Sequence, residues 1–270
     1  MTAGGGIWSD QALTDALGDP GRGATSVSAS LLLKVADTGA KPVLAAADNG
    51  RRYWMKWPGN PHGNLSLVHE LVVGQIGMLI GAPVRPTMLV FVDGALVRGA
   101  YANGIRLPEG TYIGSEMLQD VEEGTQVSRV ARDGNSERFA YYLALWDLCM
   151  GTDLQLIYHL AEHDQVWSID HGLWFDSIEG DWTPDLLTAS VMEPWAWPDE
   201  VELRTLSSSA LLSVAEAVEG LSCEDLAMTI GAVPVEWGVA DEALRTLASF
   251  VFSRRAGVAA RLRAAADDRS

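Results

Sequence analysis

The chain has 270 residues and a formal net charge of −17, from 19 basic and 36 acidic side chains. So few cations argue against a broad nucleic-acid footprint and against docking on an anionic membrane, since both need clustered Lys and Arg. A hydrophobic share of 48% with 20% charged residues supports a real core, so the length fits one large domain or two lobes around a cleft rather than a disordered chain.

Residues 1–24 read as a loosely attached arm. A short helix follows Ser9, a good N-cap, and is closed by Gly18-Asp19-Pro20-Gly21. The first residues lack the basic-then-apolar pattern of a signal peptide, and no apolar run reaches membrane-spanning length, so a cytoplasmic location is expected. Cys149 and Cys223 belong to no paired motif and read as reduced core thiols.

From residue 27 the pattern is β. Leu31-Leu32-Leu33-Lys34-Val35 is followed by the turn Thr38-Gly39-Ala40-Lys41-Pro42 and the strand Val43-Leu44-Ala45-Ala46-Ala47. Asp48-Asn49-Gly50 is a hairpin signal and leads into Arg52-Tyr53-Trp54-Met55-Lys56-Trp57, which completes an antiparallel meander. A loop rich in Pro, Gly and Asn then precedes a helix over residues 65–80, whose apolar positions recur at helical spacing, with Gly81-Ala82-Pro83 as its stop. Strands are expected over residues 87–92 and near 112–117, separated by turns at Asn103-Gly104 and Pro108-Glu109-Gly110. The acidic stretch 120–135 reads as loop. Beyond it come a strong apolar helix over 137–150, a β-like piece at 165–170, and helices over roughly 200–219, 223–231 and 241–265.

Four elements stand in an informative order: the Thr38–Lys41 turn, Lys56 in an apolar strand, Glu70 on the next helix, and later Asp153 and Asp170. Phosphoryl transfer from a nucleoside triphosphate needs such parts. A cation on a rigid strand faces phosphate oxygens, and a helix carboxylate holds that cation. One further carboxylate carries Mg²⁺ and another orients or deprotonates the acceptor. Protein-kinase-like chains place them in this order. His159 and His163 stand four apart beside Asp164, but no third ligand at a supporting spacing accompanies them, so they read as surface or turn histidines.

The run Tyr53-Trp54-Met55-Lys56-Trp57-Pro58-Gly59-Asn60-Pro61-His62-Gly63, then Glu70 and Gly81-Ala82-Pro83-Val84, resembles the N-lobe of HipA-like kinases. Trp146-Asp147, Gly151-Thr152-Asp153 and Trp167-Ser168-Ile169-Asp170-His171-Gly172 resemble that family's catalytic and metal-binding segments. The resemblance implies an α+β, bilobal protein-kinase-like fold. Its antiparallel β-rich N-lobe, with one main helix, would span residues 25–117, with a hinge at 115–117, and its mainly helical C-lobe residues 118–270. It further implies ATP and Mg²⁺ as cofactors. Lys56 would contact the phosphates, Glu70 would pair with Lys56, and Asp170 would bind the metal with Asp153 as base. Thr38, Gly39 and Lys41 would lie over the phosphates, and the backbone of Ser115, Glu116 and Met117 would meet the adenine edge. The acceptor would be a protein Ser/Thr or a small-molecule hydroxyl.

Two positions depart from the family pattern. Leu154 stands where an Arg follows the base, and Tyr158 stands where a metal-binding Asn is usual. A phenol that stays protonated near neutral pH does not replace an amide oxygen on Mg²⁺. Gln155 or His159 would have to substitute in a re-registered loop; otherwise the chain is a pseudokinase, a nucleotide-binding or protein-interaction module.

Overall fold

A computed structural model describes residues 7–268, apart from residues 26, 103, 177–181 and 200. Asn103 of the expected turn and Glu200 at the expected helix start therefore lie outside the described residues. Helix α1 (Asp10–Leu17) is N-capped by the Ser9 hydroxyl, which accepts from the Ala12 N–H at 3.4 Å. It is no loose arm. Leu13 and Leu17 are buried in the main core, and the segment after the helix is tied down by Arg22, which reaches the Val233 carbonyl and Asp241.

Strands β1 (Val27–Val35), β2 (Val43–Ala47) and β3 (Arg52–Lys56) form the expected meander. The β2–β3 turn closes with Gly50 at φ 78°, a left-handed conformation that costs glycine nothing. Helix α2 (Leu65–Ile80) follows, buried along most of its length. It ends where expected: Gly81 turns left-handed at φ 79°, and the Ala82 N–H closes back on the Gly77 carbonyl at 2.7 Å. Strand β4 (Thr87–Val92) and the short pair β5 (Tyr101–Ala102) and β6 (Ile105–Arg106) lead to β7 (Gly110–Glu116). The order β1-β2-β3-β7-β4 closes into a barrel through a parallel contact of Val27 with Val90. Its interior is a separate apolar cluster around Val43, Met55, Trp57, Val90 and Tyr112.

The acidic stretch contains a strand that its polarity conceals, β8 (Val121–Gly124). After α3 (Asn135–Leu148) the chain forms β9 (Leu156–His159) and β10 (Gln165–Ser168), giving a three-stranded sheet ordered β10-β9-β8. Helices α4 (Pro184–Ser190), α5 (Ser208–Gly220), α6 (Cys223–Gly231) and α7 (Asp241–Asp267) complete the chain. The expected helix over 200–219 begins only at Ser208, capped by Ser207. Both cysteines are buried free thiols, and burial pushes the Cys149 thiol upward. Among the described residues no helix is long and apolar enough to cross a membrane.

One buried charge cluster fastens α3 to α7. Asp147, fully buried, accepts from Arg254 at 2.9 Å and from Arg261 at 2.7 and 2.6 Å. Arg254 also donates to the carbonyls of Ser190 and Glu193, so a single guanidinium ties α7 to the loop after α4. Removing one partner of such a set leaves an uncompensated buried charge. Asp147→Ala is therefore expected to lower unfolding free energy by roughly 3–5 kcal/mol, read as a shift in the urea midpoint at unchanged slope.

Candidate active site

Strand pairing sets the first group. Lys56 ends β3 opposite Ile113 of β7, and the two-residue strand period puts Trp54 and Lys56 on the same, cleft-facing side. Glu70 comes from the second turn of α2. Asp170 follows β10, whose end is pinned when the Ser168 N–H donates to the Pro83 carbonyl at 2.6 Å. The Lys56 ammonium donates to Glu70 Oε1 and, at 2.5 Å, to Asp170 Oδ1. Side chains 14 and 114 residues from Lys56 thus meet on one nitrogen.

Burial decides what this arrangement means. Lys56 and Glu70 side chains are each 9% exposed, while Asp170 is 31% exposed and so faces the opening. Burial by itself would lower the Lys56 pKa, but the Glu70 and Asp170 carboxylates outweigh it and hold the ammonium above its ordinary value. Burial opposes the charge on Glu70 too. Lys56, with His171 beside it, nevertheless keeps that carboxyl well below the usual range. The centre is a fixed ammonium with one sealed and one accessible carboxylate.

The backbone after Asp170 fits tightly over it. Asp170 is left-handed at φ 58°, a conformation Asp tolerates better than most residues. A Cβ on Gly172 would stand 3.0 Å from Lys56 Nζ and 3.4 Å from Glu70 Oε1, which explains the glycine. Between them, buried His171 shares a hydrogen bond of 2.9 Å with the Ser168 hydroxyl through Nε2 and turns Nδ1 toward Glu70, 3.7 Å away. His69 bonds the Gly172 carbonyl through Nδ1 at 2.8 Å and accepts the Trp182 indole N–H on Nε2 at 2.5 Å. Those two partners fix the neutral Nδ1–H tautomer.

These groups border a cavity of about 270 Å³. Thr38, Ser115, Glu116, Met117 and Asp170 line it together with Lys56 and Glu70. In the 115–117 segment, the Met117 N–H is donated to the Arg52 carbonyl at 2.8 Å and the Glu116 N–H to the Pro86 carbonyl at 3.3 Å. The Glu116 carboxylate turns to Arg51 at 2.7 Å. Gly39 and Lys41 are in the expected turn but not in the cavity wall. Gly39 abuts the His62 ring, and Lys41 pairs with Asp37 at 2.8 Å. In place of Lys41, Lys34 enters the cleft from β1, its ammonium 5.6 Å from the centre of the Trp54 ring. Arg85 also lines the cleft, its Nε donating to the Glu116 carbonyl at 3.4 Å. Neither carried a sequence signal: β1 shifts register between Leu32 and Lys34, so no simple alternation pointed Lys34 inward.

Asp153 lies at φ 50° on an exposed turn, held by Gln155, whose Nε2 donates to Asp153 Oδ2 at 2.8 Å. Its loop and the Asp170 loop are laced together. Thr152 Oγ1 donates to the Leu173 carbonyl at 2.6 Å, and the Ile169 N–H to the Gln155 carbonyl at 3.2 Å. The Trp195 indole N–H adds a bond to the Gly151 carbonyl at 2.7 Å. Leu154 packs against the main core, and Tyr158 is buried on β9 with its hydroxyl donated to the Gln126 carbonyl at 3.3 Å. Asp164 is held by Arg129 and Arg132, so the His159/His163 pair gains no carboxylate partner from it.

No protein-family profile and no curated protein matches the sequence. Among solved structures the chain is similar to the Helicobacter pylori proinflammatory kinase CtkA, with a TM-score of 0.57 and 12% identity over 91% of this chain and 98% of that one. It is also similar to the Golgi casein kinase, with a TM-score of 0.51 and 11% identity over 98% of this chain and 79% of that one. At such identities the likeness is one of fold: this mixed α+β chain is kinase-like.

The buried histidine yields a pH test. Burial lowers the His69 pKa from 6.5 to about 4, against the opposing bond to Gly172. A folded-state pKa below the unfolded one means the unfolded chain binds the extra proton. The stability is therefore complete above pH 6.5 and is lost as pH falls to about 4. The loss from this group is about 3 kcal/mol. His69→Gln should flatten that part of the pH dependence, measured by urea unfolding between those limits.

Proposed function

We propose that the chain is an ATP- and Mg²⁺-dependent phosphotransferase of the HipA-like type, with residues 25–117 and 118–270 as its two lobes. The observation that carries this reading is the Lys56 ammonium bonded to both Glu70 and Asp170 at the wall of a cleft. In this reading Lys56 holds phosphate oxygens and Glu70 keeps its amine aimed. Thr38 covers the phosphates, and the Ser115–Met117 segment with Ile113 and Ile157 encloses the base.

The donor set suits a hard cation. Among the described residues no cluster of three His, Cys, Asp or Glu forms a metal cage; part-exposed Asp170 lines the cavity with exposed Glu123 and with Glu116, whose carboxylate is taken by Arg51. Mg²⁺ commonly takes one or two carboxylates plus substrate phosphates, which is what Asp170 beside a nucleotide offers. When bound there, the cation would neutralise charge on the phosphates. Asp153, which is outside the cavity wall but bonded to Gln155 within it, would take the proton of the attacking hydroxyl, protein or small-molecule.

Leu154 packed against the core and Tyr158 buried on β9, its hydroxyl bonded to Gln126, favour a second reading, a pseudokinase that binds nucleotide without transfer. Purified chain incubated with labelled ATP separates the two. Phosphate transfer that Lys56→Ala and Asp170→Asn each reduce by about 10²-fold or more supports the enzyme. Nucleotide-dependent thermal stabilisation with no transfer supports the pseudokinase, and unchanged transfer in both variants removes these residues from the site.

A further inference from the structure

The Asp153 loop is shorter than its sequence suggests. Strand β9 starts at Leu156, so Tyr158, five residues after Asp153, is already inside the sheet. Its ring lies under the Arg129 guanidinium and its hydroxyl accepts from the Ser128 N–H at 3.0 Å. His159 pairs with Val121 and Gln165 and is not part of the cavity wall. Gln155, directly before the strand, is in that wall with Asp170.

The Gln155 amide has a determined direction. Its NH₂ donates to Asp153 Oδ2 at 2.8 Å; the flipped amide would set oxygen against carboxylate. The carbonyl oxygen Oε1 therefore points away from Asp153. The main chain of the same residue accepts from Ile169, the neighbour of Asp170. One residue is bonded to the proposed base through its side chain and to the metal-carboxylate loop through its backbone.

We propose that Gln155 Oε1 supplies the amide oxygen for the divalent cation that Tyr158 cannot, while its NH₂ holds Asp153 in place. This rests on the phosphotransferase reading above. A neutral amide oxygen is an ordinary ligand for a hard cation, and pairs with the Asp170 carboxylate without adding charge to an acidic cleft. The compressed loop does with a two-residue step what a five-residue step would otherwise do.

The test is calorimetric titration of the whole chain with ADP, in EDTA and in Mg²⁺, so no turnover is needed. Wild type should bind ADP more tightly with metal. Gln155→Met, which keeps the volume and removes the oxygen, should cut that gain, the ratio of ADP affinity in Mg²⁺ to that in EDTA, by about tenfold or more. Gln155→Glu, which restores an oxygen donor, should recover that gain. A full gain in Gln155→Met, or its loss in both variants, overturns the assignment while leaving the nucleotide site intact. Absence of ADP binding by wild type under both conditions overturns the phosphotransferase reading, and this assignment with it.

Discussion

Everything in the cleft is arranged around one ammonium. Lys56 carries two carboxylates from elements that meet only in the finished fold, and burial makes each contact obligatory. An unpaired charge at 9% exposure would be costly, so strand β3, helix α2 and the loop after β10 each depend on the other two being in place. The rest of the architecture serves this meeting. The Gly81 cap sends the chain back toward β4, the Pro83–Ser168 bond delivers β10 beside it, and Gly172 lets the backbone cross above the pair.

Charge sharpens the point. A chain with net charge −17 repels a nucleotide at long range, and salt screens that repulsion over about 8–10 Å. For the nucleotide proposed above, attraction has to be local. Lys56, Lys34 and Arg85 line the cleft opposite Glu70, Asp170, Glu116 and Glu123, of which Glu70 and Asp170 are paired with Lys56 and Glu116 with Arg51.

Much of this was legible in the sequence, for identifiable reasons. Helix α2 was readable to the residue because its apolar spacing, the Asn64–Leu65 entry and the Gly81 stop agree. The meander was readable from its turns. Lys56, Glu70 and Asp170 stood out as charges in apolar surroundings, and they do meet. What escaped lacked local signal. Strand β8 is Val-Glu-Glu-Gly and owes its existence to pairing with β9, not to propensity. Helix α1 looked detachable because it is short and closed by Gly18-Asp19-Pro20-Gly21, yet it packs on α6 and buries Leu13 and Leu17 in the main core. The turn at Thr38–Lys41 was placed correctly, but which of its side chains faces inward depends on Asp37 and His62, partners that no spacing rule selects. Gln155 and His159 were both named as substitutes, but which of them borders the cavity depends on β9 starting at Leu156, which takes His159 into the sheet.

The bonds of His69 have a consequence for motion. Helix α2 carries Glu70, and one residue earlier it carries an imidazole bonded to the Gly172 carbonyl and the Trp182 indole. Rotation of α2 that withdrew Glu70 would also strip two buried partners from His69, each costly to leave unmet. Swinging the helix outward to disarm the cleft, a motion available where such a helix is held by its carboxylate alone, is here resisted from two sides. The chain is built with its lysine clamp locked, and access is left to the rim: the Thr38 turn above and the loops bearing Asp153 and Asp170 below.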